Sequence, residues 1–141
     1  MSDDLIKLYS QRILALAADI PHLGSLPAPD GHATRRAPLC GSTVTVDVTV
    51  KDGRIAEFAQ EVRACALGQA SAAIAGAVLP GRTRDEVLAA RDALAAMLAG
   101  GPVPPAPFDG YEVLIPAREY RNRHASILLV LDATAEAMAA A

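Results

Sequence analysis

The segment from Thr43 to Val50 alternates polar and apolar residues without interruption, and it restricts the possible fold more than any other stretch. Its four valines fall on one face, and its threonines and aspartate fall on the other. This pattern is typical of a strand with one buried face in an antiparallel sheet. Residues 51–54, Lys-Asp-Gly-Arg, have the composition of a turn, and residues 55–62 predict a return strand. The chain is therefore predicted to form a β-hairpin.

The register of this hairpin follows from keeping one face apolar. The required pairs are Val50 with Ala56, Val48 with Phe58, and Val44 with Val62. They need a three-residue loop from Asp52 to Arg54, or an equivalent bulge. Since a hairpin returns its two ends to one edge of the sheet, Cys40 before the first strand and Cys65 after the second are predicted to lie close together.

Helical periodicity is predicted on both sides of the hairpin. An N-terminal helix carries an apolar stripe through Leu5, Tyr9, Ile13, Leu16 and Ile20, with Ser2 or Asp3 as its cap and Pro21 as its end. The other predicted helices are a small-residue helix over Cys65 to Leu79, a helix that begins at a Thr83-x-x-Glu86 capping box and ends at Gly100-Gly101, and a C-terminal helix with Asn122 as its N-cap. Residues 21–38 predict a connection with at most one short strand, and residues 108–116 give no assignment.

Length and charge exclude several classes of protein. The 141 residues fit one domain, 1–141, and the formal net charge of −3 lacks the basic stripe of a nucleic-acid-binding protein. The N-terminus is acidic where a secretory signal is basic, and the uncharged stretch around residues 64–81 is too polar to span a bilayer. We therefore expect a cytoplasmic protein with no membrane contact. In that compartment the two cysteines are more typical of thiols or metal ligands than of a disulfide.

Cys65 lies at the predicted N-terminus of the small-residue helix. Unpaired backbone N–H groups and the positive end of the helix dipole favour the thiolate there, and Arg63 adds a second positive charge. The alternative is a small buried core thiol, because free cysteine is among the most buried residue types. The stretch itself leaves both interpretations open.

Cys40, Cys65 and His124 form a candidate set of metal ligands. Cys40 precedes a glycine turn, and His124 falls in the first turn of the C-terminal helix, where the dipole disfavours the imidazolium. Zinc and iron–sulfur clusters both use thiolate and imidazole ligands. Three protein ligands leave a coordination position open, which suits transfer or exchange better than a closed structural site.

The remaining histidines and the C-terminal arginines have plainer interpretations. His22 and His32 are predicted to be solvated loop residues. Arg118, Arg121 and Arg123 are predicted to be a solvated face, with an acidic partner as the functional alternative. No Gly-x-Ser-x-Gly or His-Glu-x-x-His motif is present, so a catalytic set of these types is not expected.

Three motifs resemble those of the U-type iron–sulfur cluster scaffold family, which includes the IscU, SufU and NifU N-terminal domains. Pro38-Leu39-Cys40-Gly41 is similar to the family's Pro-x-Cys-Gly-Asp motif. Residues 65–72, Cys-Ala-Leu-Gly-Gln-Ala-Ser-Ala, are similar to its second motif, and residues 123–128, Arg-His-Ala-Ser-Ile-Leu, to its third. The resemblance extends over nearly the whole chain. It implies an α+β fold, in which a small antiparallel sheet of about three strands packs against several α-helices.

Two residues depart from the family pattern. Ser42 stands where the family has the aspartate that follows Cys-Gly, and Ala125 stands where it has a third cysteine. The resemblance associates that aspartate with metal binding and that cysteine with sulfur acceptance and cluster ligation. The fold is therefore implied directly, whereas the activity is implied only if another group replaces these ligands.

The resemblance implies three possible functions. The first is a scaffold or carrier that binds iron or an iron–sulfur cluster through Cys40, Cys65 and His124, with a cysteine desulfurase and iron–sulfur acceptor proteins as partners. The second is a zinc-binding sulfur acceptor for a cysteine desulfurase. The third is a degenerate paralogue that acts only through partner binding. In each of them the chain is expected to be a carrier or acceptor more than an enzyme.

Overall fold

The alternating segment forms the central strand of a three-stranded antiparallel sheet. The computed structural model describes residues 10–39 and 41–141. Within them the strands are β1 (Gly31–Arg36), β2 (Thr43–Lys51) and β3 (Arg54–Arg63), in the order β1-β2-β3. The single short strand predicted within residues 21–38 is β1.

The predicted register is correct over most of the hairpin. Val48 pairs with Phe58 and Val44 with Val62, as expected. The turn itself is a two-residue Asp52-Gly53 turn, and both residues have positive φ, 54° and 75°. A bulge between Thr49 and Val50 absorbs the extra residue, so Val50 pairs with Ile55 and the predicted pairing with Ala56 is wrong. The sequence is compatible with either a loop or a bulge at this point.

The helices surround one face of the sheet. They are α1 (Gln11–Ala17), α2 (Ala66–Gly76), α3 (Arg84–Leu98) and α4 (His124–Ala139), and two 3-10 segments, η1 (Asp109–Glu119) and η2 (Arg121–Arg123), connect α3 to α4. The unassigned segment at residues 108–116 therefore falls mainly in η1, which buries Tyr111 and Leu114. No helix in the described part of the chain is both long and apolar enough to cross a membrane.

The N-terminal helix differs from its prediction. α1 begins at Gln11, and Ser10 is its N-cap: its backbone is extended and its hydroxyl accepts a hydrogen bond from the Ile13 N–H. A cap at Ser2 or Asp3 for this helix is therefore wrong, because a serine inside the stripe interrupts it. Ser2, Asp3, Leu5 and Tyr9 themselves lie outside the described residues. The helix ends at Ala17, before Pro21.

The ends of α3 are as predicted, whereas the start of α4 is not. Thr83 and Glu86 form the reciprocal capping box, and Gly100 follows α3 with φ of +107°. The N-cap of α4 is Arg123 and not Asn122, because residues 121–123 form a 3-10 turn that leads directly into the helix. His124 lies in the first turn of α4, as expected.

The apolar face of the hairpin forms the core together with α2 and α4. Val44, Val46 and Val48 are at most 1% exposed, and α4 packs across β1 and β2. The helix backbone lies very close to the sheet at Gly31, where a Cβ atom would lie 1.8 Å from the carbonyl oxygen of Ala137. A residue without a side chain is therefore required at this crossing.

Candidate functional site

The three sequence motifs meet at a chain of side-chain contacts. Ser126, in the first turn of α4, donates a hydrogen bond to the Ser42 hydroxyl at 2.9 Å, and its Oγ lies 3.7 Å from the Sγ atom of Cys65. Ser42 and Ser126 are 3% and 1% exposed. The structure thus joins residues that are 84 positions apart in sequence. We call Ser42, Cys65 and Ser126 the serine–thiol cluster.

Gly68 permits this close approach of α2 and α4. A Cβ atom at position 68 would lie 2.5 Å from the Ser126 hydroxyl oxygen and 2.8 Å from the Cβ atom of Ala64. Real Cβ atoms do not approach other atoms this closely, so any larger residue would have to displace Ala64 and the Ser126 side chain. The glycine in the second motif therefore has a packing role.

Cys65 is the N-cap residue of α2 and is half-buried, so it is neither a solvated thiol nor a fully buried core residue. Burial raises the pKa of its thiol. Hydrogen bonds to the sulfur outweigh that effect, and the pKa lies below its ordinary value. The groups that lower it, in decreasing order of effect, are the Gly68 N–H, the Ser126 side chain, the Arg123 guanidinium and the Leu67 N–H. The helix N-terminus therefore has the effect on this thiol that the sequence predicts.

The lowered pKa of Cys65 predicts enhanced reactivity at neutral pH. In a Cys40→Ser variant, the rate of alkylation by iodoacetamide should rise with pH around a midpoint below that of a free cysteine alkylated in parallel. Replacing Arg123 with glutamine should move the midpoint upward, because it removes one of the groups that favour the thiolate. A midpoint at or above the free-cysteine value would contradict the assignment.

The lowered pKa of Cys65 also determines the direction in which folding stability changes with pH. A thiol whose pKa is lower in the folded state contributes stability at pH values above its unfolded pKa. That contribution is lost as the pH falls through the folded value. Unfolding measured on the same variant should show this dependence.

Cys40 lies outside the described residues, so its predicted proximity to Cys65 stays a prediction. Its neighbours are described. Gly41 has φ of +68° and donates its N–H to the Ala37 carbonyl at 3.0 Å, and Ser42 belongs to the serine–thiol cluster. Leu39 is 79% exposed. The first motif therefore ends at the serine–thiol cluster, and the residue that precedes Cys40 in sequence is an exposed leucine.

His124 makes a contact that the sequence did not predict. Its Nε2 atom donates to the Ala117 carbonyl at 3.0 Å, which leaves Nδ1 as the atom available to a ligand when the ring is neutral. The ring also lines a cavity of about 630 Å³ with Arg118, Arg121 and the end of α3. None of the hydrogen bonds to the Cys65 sulfur comes from His124. Its role as a ligand stays a prediction.

No group of three or more His, Cys, Asp or Glu side chains suited to a metal ion occurs within residues 10–39 and 41–141. Cys40 is not among these residues. The described part of the proposed ligand set is therefore Cys65 and His124.

Two side chains expected to be solvated are fixed by specific contacts. Nδ1 of His32 lies 2.5 Å from Asp47, a carboxylate that also accepts the Leu26 N–H at 3.1 Å. Arg118 donates to the carbonyls of Met97 and Gly101 at the C-terminal end of α3, where cations stabilise a helix. The interpretation of Arg118 as part of a solvated face is therefore wrong. Arg121 is exposed, as predicted.

Ser126 is the site residue that sequence reasoning missed. It follows the alanine that replaces the third family cysteine, and the sequence indicates no role for it beyond membership of the third motif. Its position two residues after His124 in the first turn of a helix turns it toward the interior, where it is 1% exposed. The apolar stripe that continues at Ile127 was the available signal.

A family model described as "NifU-like N terminal domain" matches residues 8–121. The chain belongs to this family. Two proteins of Archaeoglobus fulgidus, named iron-sulfur cluster assembly scaffold protein IscU 1 and IscU 2, are each 31% identical to it over 96 residues. The match covers 67% of this chain but 63% of each relative, so the chain spans less than two thirds of their length.

Solved structures share the fold. A nitrogen-fixing NifU-like protein (N-terminal) from Brucella abortus is 43% identical with a TM-score of 0.94, and the match covers 98% of this chain and 96% of that one. A putative iron-sulfur cluster assembly scaffold protein for the SUF system from Fervidobacterium islandicum gives a TM-score of 0.82 at 20% identity, over 94% of this chain and 98% of that one, a likeness of fold alone. The predicted α+β fold is confirmed.

Proposed function

We propose that residues 1–141 act as one domain that accepts iron and sulfur as cargo and holds an iron–sulfur cluster during its assembly. Cys40 and Cys65 would bind the cargo, and His124 would supply a third ligand. A cysteine desulfurase would deliver sulfur, and acceptor or carrier proteins would receive the product. The cytoplasm stays the predicted location, and nucleic acid is not an expected partner.

The serine–thiol cluster is the observation that carries this proposal. It joins the three family motifs around a thiol that is half-buried and therefore partly open to solvent. A thiolate is the form that binds iron and zinc. Hydrogen bonds to the Cys65 sulfur favour this form, and Arg123 adds a positive charge beside an anionic cargo.

The available donors fit an incomplete coordination shell. The sequence holds two cysteines, and Ala125 has no donor atom. The Ser42 hydroxyl is neutral at pH 7 and already accepts a hydrogen bond from Ser126. Two thiolates and one imidazole therefore leave at least one position on the cargo open to an external ligand. Imidazole is an accepted substitute for thiolate on cluster iron.

The test is anaerobic reconstitution with ferrous iron and sulfide, followed by desalting, iron counting and visible absorption. We expect the wild type to retain coloured iron, Cys65→Ser to lose it, and His124→Ala to lose most of it. His22→Asn is the matched control, because His22 is an exposed histidine with φ of 60°, a conformation that asparagine tolerates. Circular dichroism of each variant checks that the fold is intact.

Each other result has a defined meaning. If His124→Ala retains as much iron as the wild type, His124 is not a ligand. If the folded wild type retains no iron, the scaffold proposal fails. A stable metal-free protein would then favour the paralogue that acts only through partner binding.

The half-exposed, thiolate-favouring Cys65 also supports the zinc-binding sulfur acceptor as a second candidate. In that reaction the Cys65 thiolate would attack the terminal sulfur of a persulfide on the desulfurase. A new S–S bond would form on Cys65, the S–S bond of the donor would break, and the donor would leave as a thiolate. Stoichiometric, colourless zinc in protein purified without chelator would favour this function over the first.

A further inference from the structure

We propose that Leu39, Arg36, Arg63 and Arg123 form a docking surface for a partner protein segment that brings carboxylates to the thiol site and accepts an apolar side chain. This inference rests on the proposed function, since it describes the chemistry of a partner at the same site. We call the three arginines the arginine rim.

The sheet register places two of these arginines in one row. Arg36 on β1 and Arg63 on β3 both pair with Thr43, the first residue of β2. Side chains of directly paired residues point to the same side of a sheet, and adjacent strands lie about 4.8 Å apart. The backbones of Arg36 and Arg63 are therefore roughly 10 Å apart, on the face opposite the valine core.

This row lies at the thiol end of the sheet. Thr43 directly follows Ser42 of the serine–thiol cluster, and Arg63 precedes Cys65 by two residues. The Arg36 guanidinium is 3.8 Å from the point that a Cβ atom of Gly41 would occupy. The third arginine of the rim, Arg123, lies close enough to Cys65 to lower the pKa of its thiol. The rim thus combines residues of β1, β3 and η2 at the thiol end of the sheet.

Two of the three side chains have no partner within residues 10–39 and 41–141. Arg36 and Arg63 are exposed, and neither side chain makes a hydrogen bond or ion pair with another described residue. Glu61 is the nearest acidic residue on this face of β3, one same-face position from Arg63. The rim therefore concentrates positive charge in a chain whose formal net charge is −3. Charge of one sign around a cleft attracts ligands of the other sign.

The exposed leucine favours a protein partner over a free anion. Leu39 is 79% exposed, and it is the most exposed large apolar side chain among the described residues. Protein interfaces commonly combine an apolar anchor with a polar rim. A span of roughly 10 Å between strands that are not adjacent also exceeds the size of a single carboxylate group.

The first experiment measures the charge at the thiol, without metal. In a Cys40→Ser protein, Cys65 is alkylated with anionic iodoacetate and with neutral iodoacetamide, and the ratio of the two rates is taken. Replacing both Arg36 and Arg63 with glutamine should lower this ratio roughly threefold or more, and added salt should also lower the wild-type ratio. Arg12→Gln, an exposed arginine on α1, is the control. An unchanged ratio in the double variant would overturn the proposal that the arginine rim adds positive charge at the thiol.

The second experiment measures docking. The probe is a fluorescent twelve-residue peptide with four glutamates around one leucine, compared with its glutamine counterpart and with a single-stranded oligonucleotide of equal charge. We expect only the acidic peptide to bind, with roughly three- to tenfold weaker affinity for the Arg36/Arg63 double variant and for Leu39→Ser.

Three results would overturn the docking surface. They are equal binding of the glutamine peptide, tighter binding of the oligonucleotide, and no effect of Leu39→Ser. A lowered alkylation ratio without peptide binding would reduce the rim to a site for small anions, which also contradicts the proposal. Neither assay contains iron, so a failure of cluster reconstitution does not affect them.

Discussion

Replacing Ala125 with cysteine is expected to slow the loss of reconstituted iron to a chelator by about tenfold or more, which corresponds to about 1.4 kcal/mol per factor of ten. Ala125 is exposed in the first turn of α4, so a thiol fits without disturbing the core. It directly precedes Ser126, whose hydroxyl contacts Cys65. The variant would add a thiolate donor where the wild type has a methyl group.

A matched variant separates this effect from nonspecific binding by an extra thiol. Ala139 is also exposed and is the last residue of the same helix. It lies fourteen residues from Ala125, or roughly 21 Å along the axis at 1.5 Å per residue. Ala139→Cys should leave iron loss unchanged. Equal stabilisation by the two variants would refute a ligand position at residue 125.

Replacing Gly31 with alanine is expected to lower the free energy of unfolding by about 3 kcal/mol, because the new Cβ atom has no space. It would lie 1.8 Å from the carbonyl oxygen of Ala137 and 2.8 Å from the carbonyl carbon. Both are backbone atoms of α4, so the clash cannot be relieved by a side-chain rotation. For a domain of this size the melting temperature should fall by about 10 °C.

Gly110→Ala is the control for this substitution. Its Cβ atom would make an ordinary contact, 3.4 Å from a methyl group of Ile74. Urea and thermal unfolding should show a loss of less than about 1 kcal/mol for this variant. If both alanines destabilise the protein equally, the close crossing of α4 and β1 is not the cause.

The hairpin could be predicted because its signal is local. Alternation with a period of two specifies which side of each strand is buried, and that requirement fixed the pairs Val48–Phe58 and Val44–Val62. A bulge and a longer loop satisfy the same requirement, so the turn itself was left open. The start of α1 was predicted wrongly because Ser10 fits a helical stripe as a polar position, while its side chain caps the helix.

The site was predictable only where one element determined it. Cys65 was placed at a helix N-terminus from its own neighbours in sequence, and it is the N-cap of α2. The contact of Ser126 with Ser42 depends on how α4 crosses the sheet, which no local pattern specifies. The hydrogen bond from His124 to Ala117 depends likewise on the path of η1 and η2.

Helix α4 is in close contact with a neighbouring glycine at two points, and at each of them there is no space for a larger side chain. Near its N-terminus Ser126 meets Gly68, and near its C-terminus Ala137 meets Gly31. The two points are eleven residues, or roughly 16 Å, apart. Inserting or deleting one residue between them would rotate one contact by about 100° relative to the other. The length of this helix segment is therefore fixed by geometry at both ends, and sequence variation between residues 126 and 137 is restricted to substitutions.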